Sequence, residues 1–147
     1  MSIAEFMRDD HKHCDALFAA AEGMACRGDW LEVQRSSDNF IHRTERHFSL
    51  EEEILFPRFE EVSGMPQGGS AGPTAMMRSE HQQMRGLFVQ LLAAVTAKDS
   101  EAFLGVSETL LLLMQQHNAK EEQILYVMMD RVLADEEQSL LLKLQMM

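Results

Sequence analysis

The chain is poor in what a β-fold needs. It has one tyrosine and one tryptophan, few β-branched runs and no sustained alternation of apolar and polar residues, so strands are not expected. Cysteine is scarce too, with only Cys14 and Cys26. They fall three turns apart on one predicted helix, roughly 18 Å by helical rise, which rules out a bond between them. Two free thiols without a disulfide framework point to a reducing compartment, the cytoplasm. Long apolar runs are missing. A stretch such as Leu110–Met114 is far too short to span a bilayer, and the opening MSIAEFMRDDHKH lacks the order of a secretory signal. Positive charge is also low: 13 Lys and Arg against 24 Asp and Glu give a net charge of −11. Without a basic face to displace counterions, nucleic acid is excluded as a partner, and so is an anionic membrane surface. Small molecules, metal cations and basic protein surfaces remain.

What is present is helical period. The 147 residues, 46% apolar, suit a single domain spanning 1–147 with a core of its own. A first helix is expected from Ile3 to Cys26, stopped at Arg27-Gly28. Asp29 reads as an N-cap, with Glu32 completing a capping box for a second helix that reaches about Val62. Pro57 lies inside that helix, so a kink or an early end is expected there. Ser63 to Pro73, SGMPQGGSAGP, reads as the one true loop. A third helix runs from Pro73 to about Ala97, and Asp99 caps a fourth that ends near Leu133. The tail Asp135–Met147 forms a short amphipathic helix across one end. The fold class is therefore all-α, an antiparallel up-down-up-down four-helix bundle with a short C-terminal helix.

The chain also repeats itself at an offset of 70 residues. His11 matches His81, His47 matches His117, and Glu51 matches Glu121. Leu17-Phe18 falls on Leu87-Phe88, Asp29 on Asp99, and EEEILF (Glu51–Phe56) on EEQILY (Glu121–Tyr126). Two HxxxE units result, His47 to Glu51 and His117 to Glu121. Four residues is one helical turn and a little, so each imidazole emerges beside its carboxylate. His11 and His81 each add a nitrogen from the other two helices.

Four imidazoles and two carboxylates at one level suit a pair of metal ions. Two octahedral ions offer twelve positions. Four histidines, two bridging carboxylates and one bridging oxide or hydroxide fill ten, which leaves two for a small ligand. Mixed imidazole and carboxylate donors favour iron or manganese over calcium or thiolate-type zinc. The order His, HxxxE, His, HxxxE, with the flanking text HFSLEEEILFP (His47–Pro57), resembles the hemerythrin-like (HHE cation-binding) domain over about Met7 to Arg131. The resemblance implies a four-helix bundle around an oxo- or carboxylate-bridged di-iron centre, with His11, His47, Glu51, His81, His117 and Glu121 as ligands. It further implies a role in binding or sensing oxygen, handling nitric oxide or peroxide, or repairing iron–sulfur clusters. Oxygen-carrying members have another histidine one turn after the third-helix ligand, where this chain has Arg85. Their last carboxylate stands five residues after its histidine, whereas Glu121 stands four after His117.

Other residues receive plainer readings. His13 and His42 point away from the predicted ligand face. Glu52 and Glu122, about 100° from the carboxylate ligands, serve solvent or support a ligand. Glu53, Glu60 and Glu61 form a solvated face. Met7, Met77, Met84, Met114 and Cys14, with Phe18 and Phe88, line the site with apolar surface, and Cys14 is an inert thiol. The function expected is a non-haem di-iron protein that binds oxygen, nitric oxide or peroxide for sensing, scavenging or stress response. The alternatives are a di-iron oxidoreductase or iron donor in cluster repair, and a structural bundle that uses metal only as a cross-link.

Overall fold

The computed structural model describes residues 1–66, 68 and 71–147, and these contain helices and turns but no strand. Helix α1 covers Ile3–Cys26. The Ser2 hydroxyl accepts from the Glu5 N–H while the Glu5 carboxylate accepts from the Ser2 N–H, a complete capping box. Helix α2, Trp30–Ser49, starts on Asp29, whose side chain accepts from the Glu32 N–H at 3.3 Å. Only this half of the expected box forms. The Asp29 N–H is taken by the Met24 carbonyl, and the Glu32 carboxylate turns to Arg35.

The predicted second helix reaches its expected end, but it is not uniform. A π-helical turn, Leu50–Leu55, separates α2 from α3, Phe56–Ser63. The Phe56 N–H reaches back five residues to the Glu51 carbonyl. Pro57 follows at the head of α3, so the expected irregularity lies before the proline rather than at it. Proline is not its cause, because the fourth helix has the same feature without one. There α5, Ser100–Lys120, passes through a π turn, Glu121–Leu125, into α6, Tyr126–Val132, with the Tyr126 N–H bonded to the Glu121 carbonyl. Both turns fall on the repeated EEEILF and EEQILY text.

Helix α4, Pro73–Ala97, begins after Gly72 with proline in its first turn, where a missing N–H costs nothing. Of the expected loop before it, Gln67, Gly69 and Ser70 lie outside the described residues, Ser63 is helical, and Gly64 at φ 73° closes α3. Asp99 caps α5 by accepting from the Ala102 N–H at 3.0 Å. After a 3-10 turn, Ala134–Glu136, the last helix α7 spans Glu137–Met146.

Among the described residues, five helical rods result: α1, the rod 30–63, α4, the rod 100–132, and α7. Helix α1 packs on α2, α5 and α6, α4 packs on α5 and α2, and α7 lies against α1 and the Leu50–Leu55 turn. Two apolar clusters form. One gathers Ile3, Met7, Leu55, Phe59, Met77, Leu125, Met129, Leu140 and Leu144. The other gathers Phe18, Phe40, Met84, Phe88, Leu91, Phe103, Leu110 and Met114. Each fully buried aliphatic or aromatic side chain contributes about 1.5–3 kcal/mol, so these clusters hold the rods together. On every long rod the predicted ligands fall between the clusters: His11 between Met7 and Phe18, His81 between Met77 and Phe88, His47 and Glu51 between Phe40 and Leu55, His117 and Glu121 between Met114 and Leu125.

Candidate metal centre

All six sequence-predicted residues are buried, and the rods bring them together. Glu51, His81, His117 and Glu121 each offer one atom, and these atoms lie within 4.8 Å of one another. His11, His47 and Glu121 form a second such group, so Glu121 belongs to both. The HxxxE spacing achieves this as expected: His117 Nε2 stands 3.1 Å from Glu121 Oε1, and His47 Nε2 stands 3.7 Å from Glu51 Oε1.

The four-residue group is short of partners. Glu51 Oε1, His81 Nε2, His117 Nε2 and Glu121 Oε2 are buried without a hydrogen bond, one atom from each member. His81 Nε2 lies 3.0 Å from Glu51 Oε1, so the atoms are near without being aligned for hydrogen bonding. Leaving a buried polar atom unsatisfied costs about 1–3 kcal/mol. One such atom on each member of a group whose donors lie within 4.8 Å of one another fits a cation, and nitrogen with carboxylate oxygen is a donor set that suits iron.

The outward nitrogens are all engaged. His47 Nδ1 lies 2.8 Å from Asp10, His81 Nδ1 2.5 Å from Glu52, His117 Nδ1 2.8 Å from Glu80, and His11 Nδ1 2.9 Å from Glu122. Each acid is one residue from a predicted ligand on its own rod and reaches a histidine on the next. The links form a closed ring, from α1 to α2, from the Leu50–Leu55 turn to α4, from α4 to α5, and from the Glu121–Leu125 turn back to α1. Three of the acids have cations behind them. Arg43 donates twice to Asp10, Arg85 donates to both oxygens of Glu52, and Lys120 pairs with Glu80. A carboxylate on Nδ1 fixes the ring's orientation and leaves Nε2 for the centre.

These charges shape the proton affinities. Burial pulls the His117 imidazole down, but Glu121, Glu51 and Glu80 outweigh it and hold it at about 9. His11 and His81 are raised in the same way, against burial, by Glu121 and Glu51 respectively and then by Glu122 and Glu52. Burial and the charge of Glu121 hold the Glu51 carboxyl above its ordinary range. Glu121 itself is held well below, because His117, Glu51 and His11 overcome its burial. Burial would raise Asp10, yet His47 and Arg43 bring it down to about 2.

A seventh side chain occupies the layer. The fully buried Tyr126 hydroxyl lies 2.8 Å from Glu51 Oε2, 3.0 Å from Glu121 Oε1 and 3.3 Å from both His11 Nε2 and His47 Nε2. Sequence reasoning met Tyr126 only as part of the repeat. It also missed Asp10 and Glu80, although an acid stands directly before His11 and His81 at the same offset of 70. Glu52 and Glu122 do hold candidate residues, His81 and His11 respectively. His13 and His42 are exposed. Met7, Met77, Met84, Met114, Phe18 and Phe88 are buried as expected, and burial pushes the Cys14 thiol up to about 12, which keeps it inert.

One reading needs correction. Glu60 is fully buried rather than on a solvated face. Arg78 reaches it at 3.4 Å while lying over the Phe56 ring, and the Gly68 N–H donates to it. Arg85 does not turn towards the centre. Its guanidinium lies over the Phe48 ring and bonds Glu45 and Glu52.

The family model for the hemerythrin HHE cation-binding domain matches residues 2–129. Comparison with curated proteins and with solved structures gave no match.

Proposed function

The chain belongs to the hemerythrin HHE cation-binding family, and from that premise we propose that its polar layer holds two iron ions and binds a small ligand, oxygen, nitric oxide or peroxide. The observation that carries this reading is the set of four orphaned donor atoms, one from each residue of a single group, beside a second group that shares Glu121. One ion falls to Glu51, His81, His117 and Glu121, the other to His11, His47 and Glu121. Bound iron supplies the redox change and the open positions a diatomic ligand needs.

The four long rods run antiparallel, up-down-up-down. The acids that hold the histidines support this order. Asp10 and Glu80 precede their ligands, whereas Glu52 and Glu122 follow theirs. One step before a ligand and one step after it turn the same way round the bundle only when alternate rods run in opposite directions. The apolar clusters on either side keep bulk water out, so the centre meets small uncharged ligands more readily than ions.

Arg85 bonds Glu45 and Glu52 and supplies no further imidazole, which favours scavenging or sensing over reversible carriage. No described helix is long and apolar enough to cross a membrane, and two free cysteines fit the reducing cytoplasm. An oxidoreductase would use the same centre. An iron donor fits less well, because every protein donor is buried and iron would have to leave a closed layer. Metal analysis tests the reading, with optical spectra of the reduced protein before and after each ligand. Two irons per chain and a spectrum that responds to oxygen or nitric oxide are expected. Protein that retains no iron, or a loaded centre blind to all three ligands, would sink it.

A further inference from the structure

The two metal groups are unequal in a way the sequence repeat conceals. One group has four donors, and the other has three. The Tyr126 hydroxyl stands where a fourth would complete the smaller group, 3.3 Å from the inward nitrogens of His11 and His47 and 3.0 Å from Glu121 Oε1. A phenol carries one proton, yet this oxygen faces two carboxylate oxygens and two imidazole nitrogens. It can donate to only one of them at a time. A cation between His11, His47 and Glu121 removes the conflict, because the phenol oxygen is then a fourth donor to it rather than a lone proton donor among acceptors.

The π turn is what places the tyrosine there. In a regular helix a residue five positions after Glu121 lies about 140° round from it. Here the wide turn bonds the Tyr126 N–H to the Glu121 carbonyl and brings the two side chains onto one face. The first half of the chain makes the same turn, but its counterpart 70 residues earlier is Phe56, whose ring lies 6.0 Å from that of His81. The backbone device is therefore present twice and the oxygen once.

We propose that Tyr126 is a seventh protein donor, its phenolate oxygen binding the ion held by His11 and His47. This rests on the di-iron reading above. On loading with ferric iron the phenol O–H bond breaks, the oxygen gives an electron pair to the metal, and the proton leaves to solvent. The smaller group then has four protein donors like the larger one, and one fewer position remains for an external ligand on that ion.

Iron analysis and resonance Raman of the ferric protein, excited in its visible absorption, test the assignment together. Iron-loaded protein should show a phenolate-to-iron charge-transfer band with enhanced tyrosinate ring modes. Tyr126→Phe should lose both while retaining iron. Adding Phe56→Tyr to that variant should restore them, now from the other half of the repeat. Iron-loaded protein without tyrosinate modes would overturn the role of Tyr126 and leave the di-iron reading standing. Protein that takes up no iron at all would overturn the centre itself.

Discussion

Chelated protein carried from about pH 6 to pH 9.5 loses the proton on which its polar layer rests. His117 is held at about 9, against an ordinary 6.5, because Glu121, Glu51 and Glu80 outweigh its burial. The folded state thus binds that proton more tightly than the unfolded chain does. Its contribution is fully present below about pH 6.5 and is lost as pH rises through about 9. A difference of about 2.5 in pKa corresponds to on the order of 3 kcal/mol. For a domain of this size each kcal/mol moves the melting temperature about 2–4 °C, so a fall of about 6–12 °C is expected over the window. His11 and His81 are raised too and act in the same direction. Metal reverses the trend, since it takes the nitrogens in place of protons and binds more strongly as pH rises. Melting curves by circular dichroism on chelated and loaded protein, and on chelated His117→Gln, would read this out. The chelated protein should lose stability with pH, the loaded protein should not, and the variant should give a flatter slope. A flat or rising profile in the chelated protein would refute the charge balance assigned to the layer.

The remaining predictions are more local. His47→Ala or His117→Ala should lower iron content well below two per chain in metal analysis, while His13→Ala and His42→Ala, both at exposed positions, should leave it unchanged. Asp10→Asn removes the carboxylate that orients His47 and pairs with Arg43, so chelator competition should show about 10–100-fold weaker metal binding; an unchanged affinity would mean the packing alone fixes the ring. Leu110→Ala, fully buried in the cluster farther from α7, should cost about 2–5 kcal/mol in denaturant unfolding without altering iron content.

Helix positions were legible because their signals are local. Asp29 and Asp99 announce starts by side-chain chemistry within three residues, and Gly28, at φ 71°, marks the stop expected after Cys26. The six candidate ligands could be picked out for a different reason, since a four-residue spacing of histidine and glutamate rarely recurs at a fixed offset by accident, and the structure buries all six together. The π turns left no such trace. Pro57 offered a misleading local cause, since the second turn forms without a proline. Glu60 was misread on the same ground. Its period suits a wet face, and the approach of Arg78 from another helix, with the Gly68 N–H, makes burial tolerable.

The ring of acids carries the deeper lesson about how this layer is built. A residue next to a ligand turns about 100° from it, so it points along the bundle's circumference rather than to its axis. Asp10, Glu52, Glu80 and Glu122 use that direction to hold histidines on the neighbouring rods. Each long rod gives one carboxylate and receives one, and the four bonds between rods orient every imidazole before any metal arrives. The cost of ordering those rings is met on folding, so little of it remains for metal binding. The same closure localises damage. Removing one acid frees one ring and leaves three fixed, which is why Asp10→Asn should weaken binding in proportion to a single donor, whereas removing Glu121, shared by both groups, should abolish the pair.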